Sequence, residues 1–192
     1  PQPQYRQMRI LHVVRGLEPE LGGPPQFVVA LTGALKLLGF DSTIYGTQPV
    51  ADSGTVIPAP DAEVRLFKRG RFAGLWPGHS LDMGRELDQT ASQFDVVHIH
   101  ELWHYPNYAA ARASSRNDVP YLISPLGTFA PTALRKGRLK KRIYSALVDR
   151  GLSNRATSFH AMTNQEARDT VTATSEVPVE IVPIGVDPSK YA

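Results

Sequence analysis

Short apolar runs alternate along the chain with longer stretches in which apolar residues recur three and four positions apart. Residues 9–14, Arg-Ile-Leu-His-Val-Val, are too apolar for a strand with one wet face and predict a strand buried on both sides. Pro24 and Pro25 suit a helix start, where a missing N–H costs nothing. Phe27, Val28, Ala30, Leu31, Ala34, Leu35 and Leu38 then recur at helical spacing until Gly39 stops the run. The same reading predicts strands at 42–47, 62–67, 95–100, 120–124, 157–161 and 178–183. It predicts helices at about 79–93, 106–116, 132–151 and 164–174. The polar link before residue 62, with Gly54, Pro58 and Pro60, and the segment 70–78 read as loops. Seven apolar strands joined mostly by helices imply an α/β fold. The expected architecture is a doubly wound, Rossmann-like parallel sheet in the order 3-2-1-4-5-6-7, with helices on both faces.

Composition narrows the function classes. A chain of 192 residues makes one domain of ordinary size, placed here at 1–183, with 184–192 expected to begin a linker to a further domain. A hydrophobic fraction of 42% with 20% charged residues excludes a wholly disordered chain. The lack of cysteine excludes disulfides, a thiol nucleophile and thiolate metal sites. No apolar run reaches 18 residues, and the opening Pro1-Gln2-Pro3-Gln4 lacks the order of a signal peptide. A cytoplasmic location is therefore expected. A net charge of +3 suits anionic ligands but falls short of a committed nucleic-acid binder, so no nucleic-acid partner is expected.

The candidate chemistry sits where predicted strands end. No Gly-x-Gly-x-x-Gly follows the first strand and no acidic residue ends the second, which argues against a dinucleotide site. Gly22 and Gly23 precede a helix, where glycine lets a ligand approach the backbone and free N–H groups favour phosphate. His98 and His100 are two apart on one strand and share a side of the sheet, with His100 at the carboxyl end and His98 deeper. Glu101 and His104 invite a zinc reading, but the spacing is not that of a metal-binding helix and no metal is expected. Trp103 and Tyr105 form either an apolar platform for an acceptor or a cover for the end of the sheet. Gly127 and Thr128 end another strand and could face a cleft, and Thr163 with Glu166 forms a capping-box pattern. Arg135, Lys136, Arg138, Lys140, Lys141 and Arg142 crowd into eight positions, as a solvated helix face or as a patch for anionic lipid or a phosphate-bearing acceptor.

These motifs, in this order, resemble the N-terminal half of a family 4 glycosyltransferase, a retaining enzyme of two facing doubly wound domains (the GT-B architecture). The resemblance rests on Arg9-Ile-Leu-His-Val-Val with Gly22-Gly23-Pro24, and on Asp95-Val-Val-His-Ile-His100 with Leu102-Trp103. It continues through Ile123-Ser-Pro-Leu-Gly127 with Lys140-Lys141, Ala156–Ala161 with Thr163-x-x-Glu166, and Val182-Pro-Ile-Gly-Val-Asp187. It implies transfer of a hexose from a nucleotide-diphosphate sugar to a saccharide or lipid-linked acceptor, with retention. The donor would be held by a C-terminal domain and the acceptor mainly by this one, with no cofactor bound here. His100 would be the catalytic donor toward sugar or acceptor, and Gly22 and Gly23 would face the diphosphate. Trp103, Tyr105, Gly127, Thr128 and Glu166 would line the substrate side, and the basic cluster would give peripheral contact with the inner membrane face. This segment alone would be inactive. The alternative is a non-catalytic binding module or a partner subunit that works only with a separate C-terminal half. The sequence departs from the family at Leu126, where a polar donor is common, and at Ile184, where Asn is usual.

Overall fold

The computed structural model describes residues 7–48, 55–135, 150–174 and 177–185. The strands are β1 (Arg9–Val13), β2 (Asp41–Gln48), β3 (Glu63–Lys68), β4 (Val96–His100), β5 (Tyr121–Ser124), β6 (Ser158–Ala161) and β7 (Val179–Ile181). They form one seven-stranded sheet in the order β3-β2-β1-β4-β5-β6-β7, with every neighbouring pair parallel. The expected order is the observed one. Between the strands lie α1 (Gly23–Leu37), α2 (Leu81–Thr90), α3 (Tyr105–Arg116), α4 (Pro131–Arg135), α5 (Arg150–Ser153) and α6 (Asn164–Thr174).

Residue alternation along the strands sorts the sheet into two unlike faces. One face presents Leu11, Val13, Val97, Ile99, Ile123 and Phe159 to Met83 and Leu87 of α2 and to the alanines of α3. Ala109, Ala110, Ala111 and Ala113 let α3 lie close to the sheet, and Leu11, Met83 and Leu87 are 0% exposed. Each such side chain contributes roughly 1.5–3 kcal/mol by leaving water. The other face carries a smaller apolar cluster of Val14, Leu17, Val28 and Ile44, centred on α1.

Element ends differ from expectation for local reasons. α2 starts at Leu81 because the Ser80 hydroxyl accepts from the Met83 N–H at 3.4 Å, and a 3-10 turn, Ala91–Gln93, follows it. Asp95 stands outside β4 and its carboxylate instead accepts from the Arg9 N–H at 2.7 Å, fastening the amino ends of two central strands. The long helix expected over 132–151 is described only at Pro131–Arg135 and Arg150–Ser153; its middle lies outside the described residues. Among the described residues, no helix is long and apolar enough to cross a membrane.

Candidate functional site

Because the strands are parallel, their carboxyl ends share one edge, the edge at which open α/β sheets bind ligands. The turns on that edge are the strained ones. Of the four described non-glycine residues with positive φ, Glu101 (68°), Trp103 (72°) and Leu126 (52°) lie in the turns after β4 and β5. Gly127 (79°) and Gly22 (84°) join them. Side chains held in such conformations cluster where a ligand or a switch demands them.

The loop after β1 is locked from below. Arg69, just past β3, pairs with Glu18 at 2.5 Å, both largely buried. The same guanidinium donates to the Thr47 hydroxyl at 3.1 Å, and that hydroxyl donates to the Arg15 carbonyl at 2.6 Å. Gly16 is obligatory: a Cβ there would lie 2.1 Å from Glu18 Oε2 and 2.6 Å from the Thr47 carbonyl. The clamp presents Gly22, φ 84°, ψ −132°, at the start of α1, with nothing within 4 Å of a Cβ built on Gly22 or Gly23. The Gly22 N–H is bonded to the Pro19 carbonyl, and Pro24 and Pro25 have none, so the Gly23 N–H is the donor left at the start of α1. The site keeps the helix dipole with few of the usual donors.

Beneath α1, a polar ladder crosses four strands. His12 stands opposite His98 in register and His100 opposite Ser124. His12 Nδ1 and His100 Nε2 share a hydrogen bond of 3.2 Å. His98 bonds the Ser124 hydroxyl at 2.7 Å, which also meets His160 Nδ1 at 3.0 Å, while His160 Nε2 donates to the Val182 carbonyl at 2.9 Å. Phe27 of α1 covers the ladder, 5.8 Å from the His100 ring and 6.2 Å from that of His160. Burial drives the His12 pKa down to about 3 and pushes His98 and His100 well below the usual range, with neighbouring imidazoles adding to the shift. The cluster is neutral. One ring nitrogen from each of His12, His98 and His100 falls within 4.8 Å of the others. Tetrahedral zinc at about 2.0–2.1 Å from nitrogen wants ligand atoms roughly 3.4 Å apart. With no carboxylate in the trio and two of the rings bonded to each other, a hydrogen-bonded core describes them better than a metal site.

The role expected for His100 falls on a closely packed ring. It is 0% exposed, bonded to His12 and covered by Phe27 of α1. The His100 carbonyl accepts from Asn107 Nδ2 at 2.7 Å, and Asn107 Oδ1 accepts the His104 N–H at 3.2 Å, which fixes the turn 101–104. In that turn the Glu101 side chain is 17% exposed and its Oε2 lies 3.9 Å from His104 Nδ1. Burial raises the Glu101 carboxyl to about 7, opposed by the charge of Arg15. Trp103 is half-buried and meets Phe129 edge-on at 6.4 Å. Tyr105 is buried, packed against His79 at 4.7 Å and Trp76 at 5.1 Å. Its hydroxyl would be 2.3 Å from a Cβ on Gly84 of α2.

Glu166 joins the β5 and β6 turns. One carboxylate oxygen accepts from the Gly127 N–H at 2.7 Å, the other from the Met162 N–H at 2.8 Å, and the Thr163 hydroxyl accepts the Glu166 N–H at 3.1 Å. The Thr163 half of the capping box is present, while the Glu166 carboxylate accepts from Met162 and Gly127 in place of the Thr163 N–H. The Thr128 hydroxyl donates to the Pro125 carbonyl at 2.8 Å. These three residues shape the edge. Arg135 is exposed at the end of α4; Lys136, Arg138, Lys140, Lys141 and Arg142 lie outside the described residues. Sequence reasoning missed His12, Ser124, His160, Asn107 and Arg15. Only strand register and turn geometry bring them together, although His12 shares the apolar-strand setting of His98.

Residues 22–185 match the glycosyl transferase 4-like domain family. No curated protein matches the sequence at a significant level. The crystal structure of Anabaena Alr3699/HepE in complex with UDP-glucose is similar over 96% of this chain and 46% of that one, at 16% identity and a TM-score of 0.64. The UDP-GlcNAc 2-epimerase of Methanocaldococcus jannaschii is similar over 92% of this chain and 45% of its own, at 13% identity and a TM-score of 0.54. The trehalose-6-phosphate phosphatase N-terminal domain of Candida albicans is similar over 99% and 51%, at 15% identity and a TM-score of 0.52. At these identities the likeness is one of fold. The chain spans about half the length of these structures.

Proposed function

Because the chain belongs to the glycosyl transferase 4-like domain family, we propose that it is the acceptor-side half of an enzyme that moves a hexose from a nucleotide-diphosphate sugar to a saccharide or lipid-linked acceptor, with retention. The fold is the Rossmann-like N-terminal half of a GT-B architecture. The supporting observation is that the Gly22 turn and the strained turns after β4 and β5 gather on one edge of the sheet. In this reading a C-terminal, donor-binding half closes over that edge.

Closure would set donor and acceptor in reacting geometry and remove water, which strengthens each charge interaction inside. Gly22 lets a diphosphate touch the backbone, and the α1 dipole with the Gly23 N–H favours its growing negative charge. Trp103 and Phe129 form an apolar wall on the acceptor side. Glu166 holds the Gly127 turn at the depth the cleft needs. The cluster from Arg135 to Arg142 would keep the enzyme near anionic lipid, where a lipid-linked acceptor resides.

The test is product formation by the whole protein with UDP-, GDP- and ADP-sugars and a membrane extract as the acceptor source. The expected outcome is one donor consumed with an acceptor-dependent product of retained anomeric configuration, read by NMR. Gly22→Val should raise the donor KM tenfold or more, on the scale of losing about 1.4 kcal/mol of binding. Absence of acceptor-dependent consumption with every donor would sink the proposal.

A further inference from the structure

We propose that Glu101, flanked by Arg15, selects the acceptor: its carboxyl group takes hydrogen bonds from the hydroxyls of a neutral saccharide or polyol and turns away an anionic one. This rests on the transfer reading above and adds the recognising group.

The backbone gives the first reason. Glu101 sits at φ 68° directly after β4, a conformation glycine adopts freely and a large charged residue does not. Its N–H donates to the Ser124 carbonyl at 2.8 Å, which holds the backbone at the edge. The second reason is an unmet need for partners. The carboxylate is 17% exposed, and the nearest basic group of its own turn, His104 Nδ1, is 3.9 Å away, too long for a hydrogen bond.

Arg15 supplies the third. It comes from the loop after β1, the strand beside β4, and its charge acts on Glu101. Arg15 Nε is buried with no hydrogen-bond partner. A buried donor with no partner and a carboxylate on which its charge acts, both at the ligand edge, match a hydroxyl, which accepts and donates at once. A phosphate or carboxylate would meet Glu101 as a like charge, which is discrimination by repulsion. Burial holds the carboxyl up to about 7, so the group passes between donor and acceptor near neutrality. The charged and titratable groups facing it are Arg15 from the β1 loop and His104 from its own turn.

The experiment uses the whole protein. Methyl glucoside, methyl mannoside and glucose 6-phosphate are the acceptor-side probes, read by saturation-transfer NMR, and UDP- and GDP-sugars are the donor probes, read by calorimetry. At least one neutral glycoside should bind the parent, and Glu101→Gln, Glu101→Gly and Arg15→Gln should each weaken it tenfold or more while donor affinity stays unchanged. Glu101→Gly removes the positive-φ strain, so its Tm should stay within about 2 °C of the parent or rise. Glycoside binding by Glu101→Gln and Glu101→Gly equal to the parent overturns the proposal. So does a parent that prefers glucose 6-phosphate, or a Tm loss in Glu101→Gly with binding intact. A parent that binds a donor sugar but no glycoside also overturns it and leaves the transfer reading standing. A parent that binds no donor sugar removes the transfer reading itself.

Discussion

Three imidazoles, His12, His98 and His100, are held neutral inside the sheet, and this makes stability depend on pH in a defined direction. Their folded pKa values lie below the unfolded value of 6.5, so the unfolded chain binds protons more readily. The stabilisation is fully present above pH 6.5 and is lost as pH falls, down to about pH 3 for His12. Glu101 works the other way. Its folded pKa is raised from 4.5 to about 7, so its contribution is present below 4.5 and is lost as pH rises to about 7. Denaturant unfolding between pH 7.5 and 5 should show stability falling toward acid. His12→Asn should flatten that slope by up to about 1.4 kcal/mol per pH unit, one proton's worth. An unchanged slope would mean that the ladder is open to water. Leu126 belongs to the same scale: at φ 52° on the ligand edge, Leu126→His should be tolerated, with less than a tenfold loss of turnover in the whole protein.

At the level of elements, the loops are held by side chains from other segments. Arg69 ties the β1 loop to the end of β2 through Glu18 and Thr47. Arg69→Met leaves the Glu18 carboxylate buried without its partner and should cost about 3 kcal/mol, toward the lower end of the range for broken buried pairs. Gly16→Ala drives a methyl into the same clamp and should cost about 1–3 kcal/mol. Both are read from urea midpoints, and both should weaken donor binding more than a surface change of equal destabilisation. If they lower stability alone, the clamp serves the fold and not the site. Glu166→Gln tests the second junction. An amide has a single acceptor oxygen for two backbone N–H groups, so a loss of about 1–2 kcal/mol is expected.

At the scale of the whole molecule, the described residues present an edge with open space before its glycines rather than a closed pocket. A cavity of about 340 Å³ lies instead at the opposite, amino edge, lined by Arg9, Lys36, Asp41 and Asp61 among others. If, as proposed, this chain forms one wall of the cleft, the 192-residue chain by itself should bind UDP- and GDP-sugars no more tightly than millimolar and transfer nothing. Calorimetry decides this: a dissociation constant below about 10 μM, roughly −7 kcal/mol, would place the donor site on this half.

The sequence by itself determined the layers and the strand order. Two-sided burial leaves strands apolar throughout, and helical spacing between them leaves a right-handed crossover as the connection that packs. Edge positions are legible for the same reason, since a strand's end in sequence is its end in space: Gly22, Glu101, Trp103 and Gly127 lie in the turns beyond strand ends. Tertiary structure alone decided which of the side chains near that rim are buried. His100 ends its strand, yet the pleat turns its ring toward α1 and the neighbouring His12, a contact 88 residues apart that no local pattern encodes. Tyr105, for which the sequence leaves platform and cover open, is buried where α3 starts and packs on α2. The clamp of Glu18 by Arg69 and the strain at Glu101 follow from how separate loops meet, and a pairwise meeting in space has no period to read along the chain.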